Sequence, residues 1–265
     1  TIDQDVLVIG AGMAGLVAGI EAASDTRVTI LDKLGPVVNS RVQPLVRGGK
    51  GNDTSRAMGG GLASFSFDAL LSGGSTYFKE GIPKIEDIIN YLLDRHMEKG
   101  WQKVDPELIR IYLERICSDC TWLKDEIGAV YENKMIKGGG PVLMDLLYTN
   151  ARARKVNLRF ETSALKILTD ESGQAIGAKV KDNNGRVFNL YADSVILATG
   201  SFSGNQEMML KYVGPQITYN TALTGSPCNT GDGHLMALEI GAQLVNLSVC
   251  HIRTTDAFYG VGPSR

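Results

Sequence analysis

Apolar and polar positions at the start of the chain predict a strand, a helix and a second strand. Residues 5–9 form a short apolar run, which is typical of a parallel strand buried on both faces. Residues 13–23 predict a helix rich in small side chains, and residues 28–31 predict a second buried strand that ends at Asp32. Together they predict a strand–helix–strand unit of about 30 residues.

The middle of the chain predicts three helices, over residues 85–99, 106–126 and 141–154. The second has Asp105 as its N-cap and Pro106 at its first helical position. Its predicted apolar face consists of Leu108, Ile109, Tyr112, Leu113, Ile116 and Leu123.

The second half of the chain predicts mainly strands. These are expected at residues 158–160, 164–168, 178–181, 187–191 and 194–198, the last of them buried. Asn183-Asn184-Gly185 predicts a hairpin turn, and helices are expected at residues 205–213 and 233–241. This order favours an α/β fold, a doubly wound parallel sheet with a small antiparallel β meander.

Composition and charge exclude several classes of protein. With 265 residues, 43% of them hydrophobic, the chain can bury a sizeable core. A net charge of −2 gives no reason to expect nucleic acid as a partner, and no apolar run approaches the ~18 residues of a membrane span. The first residues lead directly into a strand, so we expect no signal peptide. Four cysteines are too few for a disulfide framework, which favours a cytoplasmic location.

A glycine-rich segment, Gly10-Ala11-Gly12-Met13-Ala14-Gly15, lies between the first predicted strand and helix. In this context a G-x-G-x-x-G pattern indicates a dinucleotide-binding site. The first glycine permits a tight turn, the second lets the backbone approach a pyrophosphate, and the third allows close packing of helix and sheet. The phosphates would lie at the helix N-terminus, where free N–H groups favour negative charge.

An acidic residue completes this pattern, because Asp32 stands 22 positions after Gly10 at the end of the second predicted strand. There a carboxylate can accept hydrogen bonds from both ribose hydroxyls and disfavours a 2′-phosphate, so an NADP-type ligand is not expected. The residues alone leave the choice between FAD and NAD open.

Three further segments follow along the chain: Thr54-Ser55-Arg56-Ala57-Met58-Gly59-Gly60-Gly61, residues 194–200, and Asn229-Thr230-Gly231-Asp232-Gly233. With residues 10–33 they resemble the fumarate reductase/succinate dehydrogenase flavoprotein family. The resemblance implies a Rossmann-like, glutathione-reductase-type FAD-binding domain over residues 1–265, the N-terminal part of that family. The FAD contacts that it implies are Gly10, Gly12, Ala14, Gly15, Asp32, Lys33, Ser55, Arg56, Gly60, Gly61, Ala164, Ala198, Thr199, Gly200 and Asp232.

Two departures from the family pattern have consequences. Membrane-bound members attach FAD covalently through a histidine in the flavin loop, whereas this loop has none and carries Arg56, so non-covalent FAD is implied. Where the family commonly has Gln-x-His-Pro-Thr, the chain has His251-Ile252-Arg253-Thr254-Thr255. His251 and Arg253 are therefore the implied catalytic candidates, and a plain dicarboxylate becomes a less expected substrate.

The resemblance implies an FAD-dependent oxidoreductase that transfers hydride between flavin N5 and a small organic substrate. The family's cap domain would begin after about residue 255, so a missing C-terminal half or a second polypeptide is expected to complete the enzyme. Two alternatives stay open: a non-catalytic FAD-holding subunit of a heteromeric complex, and an NAD-binding module. No metal site is expected, because Cys117 and Cys120 lie on an apolar helix face without a second pair of ligands.

Overall fold

The computed structural model describes residues 3–35, 105–132, 135–220 and 226–248. Two compact units divide the chain, one formed by Thr1–Phe65 with Leu147–Arg265 and the other by Ser66–Leu146. In chain order the described elements are β1 (Asp3–Ile9), α1 (Met13–Ala22), β2 (Val28–Leu31), α2 (Pro106–Asp125), β3 (Tyr131–Glu132), β4 (Met135–Ile136), α3 (Gly139–Ala153), β5 (Asn157–Arg159), β6 (Ser163–Thr169), β7 (Ala175–Lys181), β8 (Val187–Leu197), α4 (Gln206–Tyr212), α5 (Pro215–Asn220) and α6 (Asp232–Glu239).

The predicted strand–helix–strand unit is confirmed at the start of the first unit. β1 and β2 pair in parallel, with Val8 opposite Ile30 and Ile9 opposite Leu31. All four residues of β2 are buried, as expected for a strand covered on both faces. A Cβ built on Gly19 of α1 would lie 3.1 Å from Cγ1 of Ile30, so the missing side chain lets the helix pack closely on the sheet.

One six-stranded sheet, in the order β5-β2-β1-β8-β7-β6, forms the core of this unit. β5, β2, β1 and β8 run parallel, whereas β6, β7 and β8 form an antiparallel meander. The predicted α/β class is confirmed. β8 belongs to both parts of the sheet, because it pairs in parallel with β1 and antiparallel with β7. The predicted hairpin turn is also present, since the Gly185 N–H donates to the Asp182 carbonyl at 3.0 Å and Gly185 has φ +79°.

The prediction of separate strands at residues 187–191 and 194–198 is wrong, because β8 is a single strand of 11 residues. Tyr191 pairs with Gly177 of β7 on one side and with Asp3 of β1 on the other. Pairing to β1 thus begins where pairing to β7 ends, and the strand has no reason to break. The predicted burial of its last residues is also wrong, since Leu197 is 38% exposed.

Among the described residues of this unit, three helices follow β8. α4 is capped by Asn205, whose side chain accepts a hydrogen bond from the Met208 N–H. α6 lies where the helix at residues 233–241 was predicted. The short α5 was not predicted. Among the buried side chains of the core cluster are Leu7, Leu31, Val180, Leu190 and Met236.

The second unit contains α2, the short β3–β4 hairpin and the first part of α3. α2 begins as predicted, because the Asp105 carboxylate accepts a hydrogen bond from the Glu107 N–H. On its predicted apolar face, Leu108 is 64% and Tyr112 is 55% exposed. Cys120, near the C-terminal end, is buried, so the packing of the described side chains is concentrated in the last turns of this helix.

The predicted helix at residues 85–99 lies outside the described residues. No helix in the described ranges is both long and apolar enough to cross a membrane.

Candidate functional site

The loop between β1 and α1 has a backbone that only glycine accommodates easily. Gly10 has φ +112°, and a Cβ at this position would clash with the carbonyl group of Ala198 at the end of β8. The Gly10 N–H donates to the Leu31 carbonyl at 2.8 Å, and the Ala198 N–H donates to the Ile9 carbonyl at 2.8 Å. The ends of β1, β2 and β8 are therefore held together around this loop.

The first turn of α1 presents its backbone rather than side chains. Gly12 is the N-cap, no side chain caps the helix, and its first turn carries no acidic residue. The first N–H groups of a helix have no intrahelical acceptor, so this terminus can bind an anion. A Cβ on Gly15 would lie 3.0 Å from the carbonyl carbon of Gly10 and 3.2 Å from Cβ of Ala198, so only glycine fits beneath the loop.

Asp32 follows β2 and is held by two backbone N–H groups. Its Oδ2 accepts from the Ala11 N–H at 2.9 Å, and its Oδ1 accepts from the Leu34 N–H at 2.8 Å. Burial raises the pKa of this carboxyl, although the two N–H donors and the Lys33 charge oppose the shift. Each carboxylate oxygen keeps a second lone pair, so the group can still accept hydroxyl donors.

Lys33 and Asp232 form an ion pair between the end of β2 and the start of α6. The Lys33 Nζ lies 2.7 Å from Oδ2 of Asp232 and 2.7 Å from Oγ1 of Thr230. The Thr230 hydroxyl donates to Oδ1 of Asp232 at 2.7 Å. Partial burial alone would raise the pKa of Asp232, but the hydrogen bonds from Lys33 and Thr230 and the Lys33 charge lower it overall.

Three further glycines bring α6 against the end of β8. Gly200 has φ +76°, and Gly231, the N-cap of α6, also has φ +76°. A Cβ on Gly233 would clash with the Thr199 hydroxyl. The Gly200 and Gly231 conformations and the close contact at Gly233 explain why the second glycine-rich motif is needed at this place.

A cleft of about 580 Å³ lies among these elements within the first unit. This volume falls in the range of ligand and cofactor sites. Leu197 lines the cleft, which explains the exposure of this side chain in an otherwise paired strand. The predicted cofactor residues that line it are Gly10, Gly12, Ala14, Asp32, Lys33, Ala164, Ala198, Thr199, Gly200 and Asp232. Gly15 supports the loop from behind and does not line the cleft.

The remaining predicted site residues lie outside the described ranges. They are Ser55, Arg56, Gly60, Gly61, His251 and Arg253. In the part of the chain that the structure describes, no group of three or more His, Cys, Asp or Glu side chains could hold a metal ion. Cys228, in the segment before the second glycine-rich motif, lines the cleft.

Two contributors to the site, Thr230 and Tyr148, were not singled out from the sequence. Thr230 lies inside the second glycine-rich motif, two residues before Asp232, so the motif could have indicated its role beside that carboxylate. Tyr148 donates its hydroxyl to the Ala11 carbonyl at 2.9 Å, and it lies 137 residues away in α3, where nothing in the sequence pattern marked it. His234 lines the cleft and packs edge-on against Phe202, with ring centroids 5.6 Å apart.

Comparisons with known proteins place this site in a wider context. The family model described as "FAD binding domain" matches residues 5–42 and 126–255. The urocanate reductase of Eggerthella lenta is 29% identical over 93% of this chain and 39% of its own length. A probable fumarate reductase of Shewanella frigidimarina is 26% identical over 91% of this chain and 39% of its own length.

A solved structure of a fumarate reductase is also similar to this chain. The open conformation of a flavocytochrome c3 fumarate reductase superposes with a TM-score of 0.67 and 25% identity, covering 91% of this chain and 41% of that one. The chain thus spans about two fifths of the length of the curated relatives it matches.

Proposed function

This chain belongs to the FAD-binding domain family, and from that premise we propose that it is the cofactor-holding part of a flavoprotein oxidoreductase. One observation carries the proposal: the N-terminus of α1, the partly buried Asp32 carboxylate and the Lys33–Asp232 pair all border the same cleft. A dinucleotide needs an anion site, an acceptor for ribose hydroxyls and polar groups along its length. The cleft offers each of these.

The residues present suit FAD. We assign the pyrophosphate to the backbone of Gly12, Met13 and Ala14, where a side chain at Gly10 or Gly15 would remove the space. Asp32 would accept hydrogen bonds from the adenosine ribose. Ala198, Thr199, Gly200 and Asp232 would contact the part of the cofactor nearer the flavin, as the family resemblance implies. FAD would be held without a covalent bond.

When bound, FAD supplies hydride transfer at flavin N5, and the protein supplies binding, orientation and exclusion of water. The names of the two relatives give urocanate and fumarate as the compounds reduced. Both compounds have a carbon–carbon double bond conjugated to a carboxylate. We therefore propose an unsaturated organic acid as the substrate class, with His251 and Arg253 as the candidate catalytic residues.

The rest of the substrate site would come from outside these 265 residues. The chain covers only about two fifths of the relatives' length, so a further segment or a second polypeptide would complete the enzyme. We also propose a cytoplasmic location, because four cysteines in 265 residues are too few for a disulfide framework.

A single-turnover experiment tests this function. The FAD-loaded protein, with any segment or partner beyond these residues, is reduced chemically without oxygen and mixed with urocanate or fumarate. We expect the oxidised flavin spectrum to return with these acids and not with succinate, which lacks the double bond. An Arg253→Ala variant should retain FAD but return the spectrum more slowly. If no unsaturated acid reoxidises the bound flavin, the chain is a cofactor-holding subunit and the proposed reaction is wrong.

A further inference from the structure

A buried tyrosine outside the predicted site supports the dinucleotide loop. Tyr148 lies in α3, is 4% exposed, and donates its hydroxyl to the Ala11 carbonyl at 2.9 Å. Ala11 itself is 1% exposed and stands between the two glycines that shape the loop. No other hydrogen-bond donor to the Ala11 carbonyl is found among the described residues. Removal of the Tyr148 hydroxyl would therefore leave this carbonyl buried without a donor.

Both polar backbone groups of Ala11 are engaged. Its N–H donates to Oδ2 of Asp32 at 2.9 Å, and its carbonyl accepts from Tyr148. A trans peptide is planar, with its C=O and the following N–H pointing in opposite directions. Holding the Ala11 carbonyl therefore directs the Gly12 N–H to the side opposite Tyr148, and Gly12 lines the cleft.

We propose that Tyr148 is a positioning residue for the cofactor: through the Ala11 carbonyl it fixes the orientation of the Gly12 amide that receives the pyrophosphate. The inference rests on the proposed function. It also links the proposed pyrophosphate and ribose sites, because Ala11 is hydrogen-bonded to both the Tyr148 hydroxyl and the Asp32 carboxylate.

The environment of Tyr148 keeps its hydroxyl a donor. Burial raises the pKa of this phenol, and the nearby Asp32 charge raises it further, while Arg152 opposes the shift. The ring is independently held, since it packs 5.8 Å from the Phe160 ring centroid. A Tyr148→Phe substitution therefore removes the hydroxyl and keeps the ring contacts.

The chain offers a matched control in its other unit. The Tyr131 hydroxyl also donates to a backbone carbonyl, that of Cys120, at 3.1 Å. Burial likewise raises the pKa of Tyr131. Tyr131→Phe therefore deletes the same type of bond at a residue that does not line the cleft.

The test compares the wild-type chain, Tyr148→Phe and Tyr131→Phe by two readouts. The first is the Kd for FAD from flavin fluorescence, and the second is amide hydrogen exchange at Ala11 in the cofactor-free protein. We expect Tyr148→Phe to raise the Kd about tenfold, because the Gly12 N–H loses its fixed direction and its hydrogen bond to the charged pyrophosphate weakens. It should also speed exchange at Ala11. Tyr131→Phe should change neither readout.

The two proposals fail in different ways. If the wild type binds FAD and Tyr148→Phe binds it equally well, or exchanges at Ala11 at the wild-type rate, the positioning role is wrong and the proposed function stands. If the folded wild type binds no FAD, the proposed function is wrong and this inference falls with it. If both tyrosine variants weaken binding equally, Tyr148 has only a general structural role.

Discussion

Asp32 combines two properties that oppose each other in the free protein. Its carboxyl is partly buried, which raises its pKa, yet the proposed ribose role requires it to be ionised. Two backbone N–H groups and the neighbouring Lys33 offset part of the burial. The arrangement keeps an acceptor in place for the cofactor and makes its protonation sensitive to what is bound.

This residue predicts a pH dependence of cofactor binding. Ribose donors favour the carboxylate, so the pKa of Asp32 should be lower with FAD bound than in the free protein. Binding should then be tightest above the raised pKa of the free protein and weaken as the pH falls through it. The Kd for FAD, measured across this range, should rise with acid for the wild type. In an Asp32→Asn variant it should be weak and nearly independent of pH, and a wild-type Kd that stays constant would contradict the ribose assignment.

The Lys33–Asp232 pair predicts a coupling that can be isolated. Both side chains are partly exposed, at 30% and 39%, so the interaction should be modest, about 1 kcal/mol. In a double-mutant cycle of Lys33→Met and Asp232→Asn, the effects on unfolding by urea should be non-additive. Lys33 is also the only cation among the described residues lining the cleft, so Lys33→Met should weaken FAD binding.

An equivalent pair provides the control for this cycle. Lys137 and Glu132 lie 2.8 Å apart in the other unit and are more exposed. Removing them should leave the Kd for FAD unchanged. Equal effects of Lys33→Met and Lys137→Met on FAD binding would contradict the role given to Lys33.

The Lys33–Asp232 pair also makes stability depend on pH. Because the pKa of Asp232 is lowered, the contribution of this carboxylate to stability is present above its ordinary pKa of 3.8 and is lost as the pH falls below that value.

At the scale of elements, glycines determine how closely strands and helices meet. Gly10 and Gly173 both have positive φ, +112° and +87°, but a Cβ on Gly173 would have nothing within 4 Å. Gly173→Ala should therefore cost about 1 kcal/mol from the backbone alone. Gly10→Ala adds the clash with the Ala198 carbonyl and should cost about 2–4 kcal/mol. Urea unfolding of the two variants measures the difference, and equal losses would show that Gly10 does not hold β1 against β8.

Local patterns predicted the elements that local physics determines. The run at residues 5–9, the small-residue helix and the cap at Asp105 follow from burial, close packing and a side-chain hydrogen bond. β8 could not be predicted as one strand, because its continuity depends on Tyr191 pairing with distant strands on both sides. The exposure of Leu108 likewise depends on what packs against α2, which its helical period does not specify.

In the candidate site too, local features could be predicted from the sequence and long-range contacts could not. The grouping of Gly10, Gly12, Gly15 and Asp32 around one loop was predictable, because the spacing of a strand–loop–helix–strand unit brings these positions together. Tyr148 was not predictable, since its contact with Ala11 arises only when α3 packs beside the loop. Long-range contacts of this kind leave no periodic trace in the sequence.

At the scale of the whole molecule, the chain supplies a cofactor site and about two fifths of the length of its relatives. The helix N-terminus, Asp32 and the Lys33–Asp232 pair border one cleft, which is the basis of the proposed dinucleotide site. The residues assigned to catalysis, His251 and Arg253, lie near the end of these 265 residues. Cofactor binding is thus the property that this chain can show by itself.

Binding of FAD by the purified chain is therefore the most direct measurement. The chain is titrated with FAD, separated from free cofactor by gel filtration, and its visible spectrum is recorded before and after denaturation. The account predicts one FAD per folded chain, released intact on denaturation because the bond is not covalent, and retention that falls sharply in Asp32→Ala. A folded chain that retains no flavin, or that binds NAD in preference to FAD, would contradict it.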